Sequence, residues 1–220
     1  MIDLHMHTLF SDGVLLPAEL ARRCEVKGFR GFAMTDHVDH SNMDIVVPRL
    51  VEVAQKLSSA MSLKVCAGVE LTHVRPEHFK ELVHRARAMG AQIVLAHGET
   101  LVEPVIPGTD RAAIEAGVDV VAHPGLISLA DARLAARKGV RLEISGRKGH
   151  SFTNGHVARM AMAAKAKLVF GSDTHEPDDI LSRPMAEKVA RGAGLSEAQI
   201  AALFKEAEAL IAERHTRGDG

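Results

Sequence analysis

The chain has 220 residues, 46% of them hydrophobic, enough to bury a sizeable core in one domain or to build a small α/β barrel. A formal net charge of −1 excludes capture of nucleic acid or anionic membrane by a global basic field, so any anionic ligand must be held locally. There is no Trp or Tyr to stack single-stranded bases, only seven Phe, whereas 13 histidines stand out.

No stretch approaches the roughly 20 apolar residues that span a bilayer, and Asp3 and His5 interrupt the N-terminus before a signal-like region could form, so a cytoplasmic protein is expected. In chain order, short apolar runs predict strands at 2–5, 31–35, 64–71, 92–96, 119–122, 141–145 and 168–171, with amphipathic helices between them. Pro17 and Pro76 stand where a helix begins, and Gly28, Gly90 and Gly139 where one ends. Ser128 with Asp131, and Ser196 with Gln199, predict capping boxes. Cys24 falls in a helix and Cys66 in a strand, and both are read as reduced packing residues. Seven strand–helix units predict a distorted, TIM-like (β/α)7 barrel; a doubly wound open sheet is the alternative. No linker divides the chain, so residues 1–220 are expected to form a single domain with a frayed tail at 214–220.

The histidines gather at strand ends. His5 and His7 end the first strand one residue apart, and extended chain would turn both to one face. Asp12 follows, His37 ends the second strand, Glu70 the third, His97 the fourth, His123 the fifth, and Asp173 and His175 the seventh. Each alone could be a loop hydrogen-bonder or a cap. Together, six imidazoles and three carboxylates at the C-terminal edge of a parallel sheet would be costly to bury unpaired, and divalent cations would satisfy them.

The segments His5-Met6-His7-Thr8 with Ser11-Asp12-Gly13, Thr35-Asp36-His37, Gly68-Val69-Glu70, Ala122-His123-Pro124 and Gly171-Ser172-Asp173-Thr174-His175 resemble, in order and spacing, the motifs of the PHP (polymerase and histidinol phosphatase) superfamily. The resemblance spans roughly residues 2–176. It implies a barrel holding up to three metal ions. By motif position, His5, His7, Glu70 and Asp173 would hold one, and Glu70 would bridge to a second on His97 and His123. Asp12, His37 and His175 would hold the third, and His97 is placed by strand order. Mixed imidazole and carboxylate ligands suit Zn, Mn or Fe.

The sixth strand supplies no such ligand but runs into Arg147, Lys148 and His150, which would put an anion-gripping patch at the same mouth; a solvated basic turn is the plainer reading. Arg183, after the seventh strand, is a weaker substrate-binding candidate. His40 and His73 could serve substrate or ligands or simply face solvent, Glu99 and Glu103 could orient ligands or waters, and His78, His84 and His215 are read as surface residues.

The expected chemistry is hydrolysis of a small phosphate monoester by a metal-bound hydroxide at a site of two or three divalent ions, with Glu70 and Asp173 central and Arg147 and Lys148 on the non-reacting oxygens. Neither cysteine is placed as a nucleophile. The alternatives are phosphodiester or nucleotide hydrolysis on the same metals, amide or ester hydrolysis of the barrel amidohydrolase kind, and a non-enzymatic metal-binding regulatory domain. A small phosphorylated substrate is the expected partner, with no membrane and no long nucleic acid. Oligomeric state is not legible.

Overall fold

The computed structural model describes residues 1–215. Among the described residues are eight strands, all parallel to their neighbours, and eight α-helices, in an order that alternates except where two strands follow each other near the start and two helices follow the last strand. The strands are β1 (Ile2–Met6), β2 (Gly31–Met34), β3 (His37–Val38), β4 (Lys64–Leu71), β5 (Ile93–His97), β6 (Val120–Ala122), β7 (Arg141–Ser145) and β8 (Leu168–Gly171). Seven of them follow one another around the wall in the order β1-β2-β4-β5-β6-β7-β8, and the two-residue β3 pairs with the end of β4. Asp173 N–H donates to His5 O at 2.9 Å and His7 N–H to Thr174 O at 2.8 Å, bringing the chain after β8 against β1 and leaving a nearly closed barrel. The open-sheet alternative is thereby excluded.

The helices are α1 (Pro17–Val26), α2 (Met43–Ala60), α3 (Phe79–Ala88), α4 (Thr109–Ala116), α5 (Leu129–Lys138), α6 (Asn154–Ala164), α7 (Arg183–Gly192) and α8 (Glu197–His215). Pro17 opens α1, where its missing N–H is no loss. Ser128 caps α5 by accepting from Asp131 N–H at 3.0 Å. At the start of α8, Ser196 N–H donates to Gln199 Oε1 while Gln199 N–H donates to Ser196 Oγ.

Two features depart from the sequence reading. His37 does not end β2; the chain leaves that strand after Met34, and His37 pairs beside Glu70 in β3. The tail is not frayed from residue 214, because α8 continues through His215 and Arg214 is bound to Asp119. Residues 216–220 lie outside the described residues.

Helix α8 also has a task that periodicity did not announce. Its Ala207, Leu210 and Ile211 pack with Ile2, Leu4, Ala33, Cys66, Ile93, Leu95, Val120, Ala122 and Val169 in one apolar cluster. Arg214 meets Asp119, Glu206 meets Arg141 and Lys167, and Glu208 meets Arg30, all at or just before the starts of strands. The helix therefore plugs the N-terminal end of the barrel, which leaves the C-terminal end for polar groups.

Candidate metal centre

At that C-terminal end lies a cavity of about 390 Å³ lined by Asp12, His37, His97, His123, Asp173 and His175, together with Arg147, His150, Glu103, His73, Ser11, Asn42 and Thr72. His5, His7 and Glu70 are fully buried against the lining residues Asp173 and His123. The register of β1 against β2 slips between Asp3 and Met6, so the strand is irregular where His5 is presented. His5 Nε2 lies 3.4 Å from Glu70 Oε2 and 3.7 Å from Asp173 Oδ1; His7 Nε2 lies 3.6 and 3.4 Å from the same two atoms. His123 Nε2 reaches Glu70 Oε1 at 3.5 Å, and His37 Nδ1 reaches Glu70 Oε2 at 2.9 Å. His175 Nε2 and His37 Nε2 approach Asp12 Oδ1 at 3.1 and 3.5 Å. His123 and Asp173 hold left-handed backbone conformations, φ 27° and 55°, an unfavourable choice for residues with a Cβ that is tolerated where surrounding structure enforces it.

All nine strand-end candidates thus meet in one place. Their donor atoms, joined by those of His150, form four overlapping groups, each compact enough for one cation: His7, Asp12, His37 and His175; His5, His7 and Glu70; His5, His123 and Asp173; and His97, His123 and His150.

The electrostatics ask for positive charge. Burial opposes ionisation of Glu70, yet His5 and His37 hold its carboxyl well below the usual carboxylate range; burial likewise opposes Asp173, which His5 and His7 hold low. Asp12 is drawn down to about 2, against burial, by the hydrogen bond from His175 and the imidazoles around it. Burial works against charge on His5 too, but Glu143, Glu70 and Asp173 outweigh it and raise the imidazole well above its ordinary value. His7 goes the other way: burial, reinforced by His37 and His5, depresses it to about 3, so at neutral pH it offers an uncharged ring.

Neither nitrogen of His7, neither oxygen of Glu70, nor His5 Nε2, His97 Nδ1 and His123 Nδ1 has a hydrogen-bond partner although all are buried. Orphaned lone pairs at such density are expensive unless something electropositive satisfies them. The donor set therefore fits divalent ions.

Several supporting residues were not legible in the sequence. Glu143 Oε2 lies 2.6 Å from His5 Nδ1, both fully buried. The close fit depends on Gly171, because a Cβ there would stand 2.5 Å from Glu143 Oε2. The available signal was the position of Glu143 between Leu142 and Ile144, which puts a carboxylate on the inward face of β7. Asp36 accepts from Thr8 N–H, Thr8 Oγ1 and Ser11 Oγ, fixing the turn that carries Asp12. Thr72 Oγ1 meets His37 Nδ1 at 2.5 Å.

The expected anion patch divides. Arg147 lines the cavity, with Nη1 donating to Asp173 O at 3.0 Å and lying 2.6 Å from His175 Nδ1. Lys148 is exposed and outside the cavity lining. Arg183 is turned elsewhere: Nε donates to Glu187 Oε1 at 2.6 Å and the guanidinium lies 3.6 Å over the Phe204 ring. His150 is buried beside His123 rather than on an open basic turn. Glu103 reaches into the cavity, while Glu99 accepts from Gly108 and Asp110 N–H and so secures the loop. His73 is exposed against Glu103, and His40 pairs with His78 at 3.0 Å away from the cavity lining.

Comparison with known proteins places this arrangement in context. The pattern of the PHP domain family matches residues 3–106. An uncharacterized protein of Methanocaldococcus jannaschii is 40% identical over 200 residues, covering 90% of this chain and 92% of that one. A probable phosphatase of Shewanella sp. strain ANA-3 is 30% identical over 204 residues, covering 79% and 76%. Among solved structures, the metal-dependent tyrosine phosphatases YwqE of Bacillus subtilis and CpsB of Streptococcus pneumoniae match with a TM-score of 0.63 at 18% identity, over 96% of this chain and 94% of that one. An amidohydrolase matches with a TM-score of 0.67 at 13% identity, over 98% and 74%. At such identities the structural likenesses speak for the barrel fold, which phosphatases and amidohydrolases share.

Proposed function

The chain belongs to the PHP domain family of metal-dependent hydrolases, and on that premise we propose that it is a phosphatase hydrolysing a small phosphate monoester at a site of two or three divalent ions. The observation that carries the reading is the convergence of four overlapping ligand groups on one cavity with a guanidinium in its wall. In this reading His5, His7, Glu70 and Asp173 hold one ion. Glu70 also serves a second with His97 and His123, and Asp12, His37 and His175 serve a third. Ions so bound supply an acidified water and a positive field for the phosphoryl oxygens.

The chain's own groups do the rest. Glu143 accepts from His5 Nδ1–H and so would orient Nε2 toward an ion shared with Glu70 and Asp173. Asp36 performs the corresponding service for the turn that holds Asp12. Arg147, tied back by Asp173 O, offers its remaining N–H groups to non-reacting phosphoryl oxygens, where a planar fork matches the geometry of the anion. Lys148, outside the lining, is left a lesser part in attracting the anion.

Amidohydrolase chemistry of the kind that places ions on a carbamylated lysine is disfavoured, since no lysine lines the cavity among the described residues. A panel of phosphate monoesters, phosphate diesters, and uncharged esters and amides, assayed with Mn²⁺, Zn²⁺ and Fe²⁺ separately, tests the proposal. Release of inorganic phosphate from monoesters is expected to dominate. Faster cleavage of diesters would shift the assignment to a phosphodiesterase, and cleavage confined to uncharged substrates would overturn it.

A further inference from the structure

His150 stands in the surroundings of a ligand rather than of a substrate grip. It is 5% exposed, and its Nδ1 lies 2.7 Å from Thr100 Oγ1. With the hydroxyl accepting from Nδ1–H, the Nε2 lone pair is left for the cavity, as Glu143 leaves that of His5. Nε2 points at Glu103 Oε1, 3.4 Å away, and Asp173 Oδ2, 3.7 Å away. The ring stacks on His123 with centroids 4.1 Å apart and 16° between planes. His97, His123 and His150 are all buried and bring one nitrogen each within 4.8 Å of one another. Glu103 reaches two of the three rings, because its other oxygen, Oε2, lies 3.2 Å from His97 Nε2. The loop that carries it is fixed where Glu99 accepts from Gly108 and Asp110 N–H.

We propose that His150 and Glu103 are further ligands of the ion position assigned above to Glu70, His97 and His123, making it a three-imidazole, two-carboxylate centre with Thr100 as the residue that orients His150. Such a set suits Zn²⁺ or another borderline transition ion and discriminates against Mg²⁺ and Ca²⁺, which favour oxygen. The inference rests on the polynuclear reading above, since it concerns one of several positions.

The test strips wild type, His150→Ala, Glu103→Gln and Thr100→Val with chelator and titrates each with Co²⁺, following bound ions by elemental analysis and ligand geometry by visible absorption. Wild type is expected to bind at least two ions. His150→Ala is expected to lose one ion or bind it at least tenfold more weakly, and the Co²⁺ spectrum of that position to change in both ligand variants. Thr100→Val, which keeps every ligand, is expected to weaken the same position about tenfold and remains informative if His150→Ala does not fold. Wild-type stoichiometry, affinity and spectrum in all three variants would overturn the inference while leaving the polynuclear reading intact, and loss of turnover alone would then make His150 a substrate or proton-transfer group. If wild type itself binds no more than one ion, the polynuclear reading falls and this inference with it.

Discussion

Replacing Glu70 by Gln would preserve the size of a fully buried side chain while removing a charge that lies within 3.6 Å of four histidine nitrogens and that, in the proposed reading, two ions would share. Glu70→Gln is therefore expected to abolish turnover with the fold retained and to reduce bound metal, measured by kinetics, circular dichroism and elemental analysis. Arg147→Ala tests a different link. A positioned guanidinium contributes on the order of 2–4 kcal/mol to a phosphoryl transition state, so kcat/KM for a monoester should fall at least about tenfold with metal content unchanged, and inorganic phosphate should inhibit the variant less. Normal kinetics and undiminished phosphate inhibition would remove Arg147 from the substrate site. At this scale the nine strand-end candidates were legible because their chemistry is unusual at such positions. Glu143 and Gly171 were not, because a mid-strand carboxylate and a glycine carry meaning only once His5 is known to lie against them. Lys148 and Arg183 were named for their charge, and side-chain direction, which sequence does not give, took them out of the cavity.

Secondary elements announced themselves through period and punctuation. The runs at 64–71, 141–145 and 168–171 coincide with β4, β7 and β8, since fully buried parallel strands leave continuous apolar segments between turn residues. Strand β3 escaped notice because two residues give no period, and it exists only by pairing with the end of β4. Helix α8 was visible as a helix but not as a plug, because its apolar residues serve both the outer helical layer, through Leu203 and Phe204, and the barrel interior, through Leu210 and Ile211. A cap outside the cavity lining provides a test at this scale. Ser128→Ala removes the acceptor for Asp131 N–H and should cost about 1 kcal/mol, lowering Tm by about 2–4 °C while leaving kcat and metal content unchanged. A shift in kcat would mean that α5 communicates with the cavity.

For the molecule as a whole, the barrel assigns apolar residues to its plugged N-terminal end and concentrates titratable groups at the open one. Concentrating unpartnered imidazole and carboxylate atoms there destabilises the fold until cations satisfy them. Ions bound at 100 times their dissociation constant stabilise the native state by about 2.7 kcal/mol, so chelation should lower Tm by several degrees, reversibly on adding Zn²⁺ or Mn²⁺. The family and the barrel were readable because strand-end motifs stand in a definite order along the chain; the chemistry of the substrate was not, because cavity walls come from loops whose folding no local pattern fixes. The most direct test of the account is to reconstitute chelator-stripped protein with increasing metal and measure phosphate release from a monoester against ions bound per chain. Activity should be negligible with the first ion and rise as the second binds, whereas full activity at one equivalent or none would contradict a polynuclear phosphatase.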